Sequence, residues 1–278
     1  MKNKIQILKV FLWICLDIFT QLGYLPVYSQ QYTGTSGLIH VPSADMDREG
    51  DARLGVHFLN REFTPDVMTY DGKKYHTMTH YLSITPFKWL EIGYTCTLLR
   101  DAKTRDGIED YNSVGLYRKD RYFSVKIQFL AEKEGKWWPS IAVGTNDTYD
   151  IWNRKESTPL TEEEIAAGKK QAIGNNFFSN YYFAISKHLT IKGHSLGIHA
   201  AYREWQRSKN SKWDGFAGGV TYQPAFQKNL RAIAEYTGNE INVGVDYLLW
   251  KHLLLQASLQ EGKYFSGGIC YQINLLGK

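Results

Sequence analysis

The side chains best suited to acid–base, nucleophilic or metal chemistry are eight histidines: His40, His57, His76, His80, His188, His194, His199 and His252. Only two pairs are close in sequence. On a strand, His76 and His80 share a face but stand about 13 Å apart, too far to share one ion. His194 and His199 fall on opposite faces of a continuous strand. A hydrolase built into a barrel wall needs a Ser–His pair with an orienting group at one rim, and nothing in the spacing singles one out. Zincin, nucleophile-elbow and P-loop patterns are missing. Cys15, Cys96 and Cys270 make neither a disulfide framework nor a zinc site. Alternation puts Cys96 with the apolar set of its strand and Cys270 with the polar set. The expectation is a chain that is not an enzyme, with no catalytic residue, no metal and no cofactor. Its histidines read as polar residues of a lumen or a rim.

The elements that would carry these residues announce themselves by a period of two. In Glu240–Leu249, Ile241, Val243, Val245, Tyr247 and Leu249 interleave with Glu240, Asn242, Gly244 and Asp246. Leu253–Gln260 and Gly268–Leu275 repeat the pattern, with Thr237-Gly238-Asn239, Trp250-Lys251 and Glu261-Gly262-Lys263 as breakers. Successive side chains of a strand point to opposite faces, so each run has one apolar and one polar or small face. Long runs with tight turns make an antiparallel meander. A soluble sandwich alternates as well. Aromatic residues near the strand ends, such as Tyr222, Tyr236, Trp250 and Tyr264, favour the girdles of an outer-membrane barrel.

Upstream, Lys2, Lys4 and Lys9 precede a short apolar run, Val10–Phe19, then Pro26 and Val27-Tyr28-Ser29. This reads as a Sec signal peptide over 1–29. Cys15, preceded by Ile14, does not fit a lipidation site. Residues 30–278 then form one barrel with a long loop at 147–176. The formal net charge is +5, and the leader carries three of the lysines and one acid. The remainder is close to neutral, which excludes a nucleic-acid footprint. Thirteen runs follow from Asp51, among them Tyr111–Arg118 and Tyr122–Ala131, which pair across Lys119-Asp120-Arg121. A weak run at Gly34–Val41 makes fourteen. The fold expected is all-β, an antiparallel transmembrane β-barrel of about 12–14 strands, in the outer membrane of a Gram-negative bacterium.

Lys126 sits in the middle of the run Tyr122–Ala131. A cation is costly on a lipid face at mid-depth, so its face is assigned to a wet lumen. The same parity assigns Arg53, His57, Glu91, Gln128, Glu235, Asn242, Asp246, Gln256, Gln272 and Asn274 to that lumen. In the long loop, Thr161 to Lys170 reads as a helix with a capping box at Thr161 and Glu164. Tyr149, Trp152, Asn153, Arg154, Asn175 and Asn176 are candidate loop contacts. Aromatic faces beside amide and guanidinium donors suit a sugar ring with apolar C–H faces and hydroxyl edges. Tyr181 and Tyr182 border this loop, and Trp137 and Trp138 lie at the preceding turn.

Three blocks carry a family resemblance. They are Thr33-Gly34-Thr35-Ser36-Gly37-Leu38-Ile39-His40-Val41-Pro42-Ser43-Ala44 with Leu54-Gly55-Val56, then Gly135–Gly144, then Phe216–Pro224 with Ala234-Glu235-Tyr236. Their order and spacing resemble the YjbH-type family of outer-membrane proteins linked to exopolysaccharide production. The loop at 147–176 is longer than that family's usual connection, and the chain ends without a terminal aromatic. The resemblance implies a part in exopolysaccharide or capsule biosynthesis or export. The partners it implies are outer-membrane lipid, polysaccharide and polysaccharide-synthesis or export proteins. The alternative is a passive channel or transporter for small solutes.

Overall fold

A computed structural model describes residues 30–105, 108–133, 135–147, 177–205 and 212–277. The leader at 1–29, the helix at 161–170 and the loop contacts Tyr149, Trp152, Asn153, Arg154, Asn175 and Asn176 lie outside these residues.

Strand β1 (Asp51–Leu59) is followed by a small hairpin, β2 (Thr69–Tyr70) and β3 (Lys73–Lys74). Then come β4 (Thr77–Phe87), β5 (Leu90–Arg105), β6 (Ile108–Leu130), β7 (Ser140–Asn146), β8 (Asn180–Ile191) and β9 (His194–Trp205). The chain continues with β10 (Gly215–Gln223), β11 (Leu230–Tyr236), β12 (Ile241–Leu249), β13 (Leu253–Gln260) and β14 (Tyr264–Asn274). Strand β1 and strands β4 to β14 form a closed antiparallel barrel, each paired with its neighbour in sequence. Closure comes from β14 on β1, in register from Asp51↔Asn274 to Phe58↔Gly267. The barrel therefore has twelve strands, the lower end of the expected range, and closing it leaves no unpaired edge.

Two segments differ from the sequence reading, and they account for the count. The turn expected at Lys119-Asp120-Arg121 does not exist. Strand β6 runs straight through it, with Leu98↔Lys119, Thr97↔Asp120 and Cys96↔Arg121 in unbroken register. A tight hairpin needs positive φ in its turn residues, and none of these three has it. Asp120 is instead an inward-facing wall residue, buried and accepting the Phe177 amide at 3.2 Å. The β5–β6 pair continues well past its neighbours as a long hairpin.

The other segment is Gly34–Val41, which is not a strand of the wall. Residues 30–47 lie inside the barrel as a plug, almost wholly buried. Two isolated bridges, Gln30↔Ser36 and Gly37↔Pro42, fold the plug on itself. The lumen expected to be wet is therefore packed. Small residues on the wall make the space. A Cβ on Gly244 would meet the Ile39 Cδ1 at 2.8 Å, and one on Gly219 would meet the Leu38 Cδ2 at 2.5 Å.

The alternation holds around the wall. In β1, Arg53, Gly55 and His57 are buried while Leu54 and Phe58 are exposed. The outward face carries Leu82, Phe123, Phe183, Ile198, Val220, Val243, Val245 and Ile269, all exposed. His80 breaks the pattern: it is exposed on the outward face, between Val56 and Cys96. At one end, two-residue turns at Lys88-Trp89 and Lys192-Gly193 and a three-residue turn at Trp250–His252 join the strands. At the other end lie the connection 60–76 and the last described residues of β5, β7 and β9, Arg105, Asn146 and Trp205.

Candidate functional site: the plugged lumen

Of the wall residues predicted to line the lumen, Arg53, Glu91, Lys126, Gln128 and Glu235 bond directly to residues 30–47, as do Ser83, Thr95, Ser186, Arg203 and Arg231, which the sequence did not single out. Glu91 on β5 accepts the Ser36 amide at 2.8 Å and the Ser36 hydroxyl at 2.6 Å. Lys126 on β6 donates to the Ser36 carbonyl at 2.7 Å and the Asp45 carbonyl at 2.8 Å. Its Nζ lies 3.5 Å from Glu91, with both side chains fully buried. Gln128 donates to the Ala44 carbonyl at 2.7 Å. Arg53 pairs with Asp47 at 2.5 Å.

Glu235 on β11 does most for the centre of the plug. Its carboxylate accepts three consecutive amides, from Ile39, His40 and Val41, at 2.9–3.0 Å. Asn242 on β12 completes the set by donating to it at 2.8 Å. Three adjacent amides converging on one carboxylate form a concave anion cradle in the chain. Beside it runs a chain of polar contacts. Arg231 donates to Asp246 at 2.9 Å, Gln256 donates to Asp246 at 2.9 Å, and Gln256 meets His57 at 2.5 Å. Gln272 and Asn274 are half-buried at the turn end, bonded to the Lys251 and Glu49 carbonyls.

Aromatic rings close the loop end of the plug. His40 lies 4.0 Å from Trp213 and 5.1 Å from Tyr32 between ring centroids. Trp205, Phe178 and Tyr122 pack around them, all buried. The sequence offered no signal for this cage, because its members come from the plug, from β6, from β9 and from two connections. Burial first, then Arg203 and Lys212, push the pKa of His40 well below the ordinary value. Arg203 Nη1 lies 2.7 Å from its Nδ1. Tyr181, by contrast, is exposed on the outward face, while Tyr182 is buried inside. Trp137 and Trp138 sit at the turn end, in the connection before β7.

Two histidines of adjacent strands meet here. His188 on β8 and His199 on β9 have ring centroids 5.4 Å apart, and both face Asp45 of the plug. Spacing along one strand could not show this, since the pair is cross-strand and the carboxylate belongs to another segment. Ser186 also reaches His199, but at the same Nδ1 that faces Asp45. A Ser–His–acid relay needs the two on opposite ring nitrogens, so this is not one.

A family model described as exopolysaccharide biosynthesis protein YbjH matches residues 29–277. The chain belongs to the YjbH family. It is 25% identical over 274 residues to the "uncharacterized lipoprotein YjbH" of Escherichia coli K12. That alignment takes in 88% of this chain and 35% of the relative, so the chain spans about a third of the relative's length. Among solved structures, the COG4313 outer membrane channel of Pseudomonas putida F1 is similar at a TM-score of 0.36 and 12% identity, over 84% of this chain and 98% of that one. Outer membrane phospholipase A of Escherichia coli gives a TM-score of 0.36 and 11% identity, over 81% and 95%.

Proposed function

We propose that this YjbH barrel spans an outer membrane and takes part, without catalysis, in making, exporting or anchoring an exopolysaccharide or capsule. The uncovered apolar wall supports the membrane part. A continuous band of Leu, Val, Ile and Phe is costly in water. Aromatic residues flank it at both ends: Trp89, Tyr222 and Trp250 by the short turns, Phe58, Tyr202 and Phe216 by the loops. Outer-membrane barrels keep short turns in the periplasm and long loops outside. On that rule the loop at 147–176 faces outward, with its sugar-suited residues Tyr149, Trp152, Asn153 and Arg154. The continuous β6 matters here, because a turn at Lys119 would have reversed the sidedness.

The filled lumen is the observation that favours this reading over a passive solute channel. A diffusion pore needs an aqueous path, whereas residues 30–47 occupy this lumen and are almost wholly buried in it. Passage of any polymer would require the plug to leave.

Deleting the gene and restoring it, whole or lacking residues 156–170, tests the proposal. Quantified surface exopolysaccharide should fall on deletion, return with the whole gene and return less with the shortened loop. Normal surface polysaccharide in the deletion strain would defeat the reading and favour the passive channel.

A further inference from the structure

We infer that Asp45, His188 and His199 bind one divalent transition-metal ion of the zinc class, which staples the plug to the barrel wall. The ion is one that accepts imidazole and carboxylate ligands together. This goes beyond the polysaccharide reading and does not depend on it.

The donor atoms already converge. His188 Nε2 lies 3.9 Å from Asp45 Oδ1, and His199 Nδ1 lies 3.7 Å from Asp45 Oδ2. All three donors fall within 4.8 Å of one another. Two ligands about 2.1 Å from a tetrahedral ion stand roughly 3.4 Å apart, so each His–Asp distance has to shorten by about half an ångström and the remaining separation by at most about 1.4 Å. Asp45 is 5% exposed, and its Oδ2 has no hydrogen-bond partner. Its backbone is fixed independently, through its carbonyl to Lys126 and its amide to Ser43 Oγ. The carboxylate is thus held facing the imidazoles.

Each ring also has the lone pair it needs. The Glu132 carboxylate bonds His188 Nδ1, which requires the proton there and leaves Nε2 as an acceptor facing Asp45. Thr221 Oγ1 lies 3.2 Å from His199 Nε2 and can accept a hydrogen bond from an Nε2–H, leaving Nδ1 as an acceptor. Ser186 Oγ, 2.9 Å from that Nδ1, would yield its place to the ion. A carboxylate behind a ligating histidine is the usual outer-shell arrangement of such sites. The wall makes room as well. A Cβ on Gly197 would come within 2.7 Å of His199 Nε2 and 3.0 Å of His188 Cδ2.

The competing account is a metal-free ion pair between Asp45 and a protonated histidine. Titrating the metal-stripped full chain in detergent with Zn2+ separates the two. One equivalent should bind, the melting temperature should rise, and Co2+ should give the visible absorption of a low-coordinate site. Asp45→Asn and His199→Gln should abolish all three signals while keeping the heat-modifiable gel shift of a folded barrel. Glu132→Gln should weaken binding about 10–100-fold, the outer-shell effect. No saturable binding in the folded wild type, or equal binding in folded Asp45→Asn, would overturn the inference.

Discussion

Lys126 Nζ on the barrel wall donates to the Ser36 carbonyl oxygen of the plug at 2.7 Å, with Glu91 close by to balance its charge. This cation is solvated by chain rather than by a wet lumen. Replacing it with methionine removes three donated bonds and leaves Glu91 buried without its cation, a loss of about 3–5 kcal/mol. Cys270 reports on this directly, since it is buried and faces Gln30 of the plug at 3.4 Å. In a background with Cys15 and Cys96 replaced by alanine, Lys126→Met should speed maleimide labelling of Cys270 at least about a hundredfold. An unchanged rate would mean that Lys126 does not hold the plug.

Glu235→Leu should loosen the same plug by a different route. It strands the amides of Ile39, His40 and Val41, each costing about 1–3 kcal/mol when buried without an acceptor. Glu235→Gln keeps an oxygen in place and should have the smaller effect on Cys270 labelling. The reverse order would contradict the cradle.

The sequence and the structure part company for one physical reason. Period-two alternation records which side of a strand a residue faces, and that was legible for Arg53, Glu91, Lys126, Glu235 and Asp246. It does not record what fills the space inside. A lumen of water and a lumen packed with backbone amides both call for polar wall residues. The part of the plug read as a run, Gly34–Val41, alternates weakly and is ended by Pro42, so it passes for a poor strand. Its glycine partners on the wall, Gly219 and Gly244, read only as small residues. The Asp45–His188–His199 cluster was illegible because three segments supply it.

The packing alters one expectation for the wall. Asn242 is buried against Glu235, so arginine there is not a mild change, as it would be in an open lumen. Val245 faces outward and is exposed. Val245→Arg should cost about 2–4 kcal/mol in unfolding from phosphatidylcholine vesicles if it lies at mid-bilayer, with Val245→Leu near neutral. A free change to arginine would place Val245 outside the apolar layer.

Acidification should release the plug. His40 is buried neutral with its pKa depressed, by burial first and then by Arg203 and Lys212, with Glu235 and Glu240 the nearby acids. Docked, it resists a proton; undocked, it takes one below its ordinary value near 6.5. The stability it allows is therefore present above pH 6.5 and lost as pH falls, by at most about 1.4 kcal/mol per unit. Cys270 labelling, corrected for thiolate fraction, should rise by up to about tenfold per pH unit below 6.5, and His40→Asn should flatten that slope.

A membrane barrel closed by its own residues 30–47 is tested most directly by conductance in planar bilayers. The full chain at pH 7.5 should insert and stay closed. The Lys126→Met, Glu235→Leu double variant should show discrete openings. Steady ohmic conductance from the wild-type chain, matched by the double variant, would show an open pore and contradict the account.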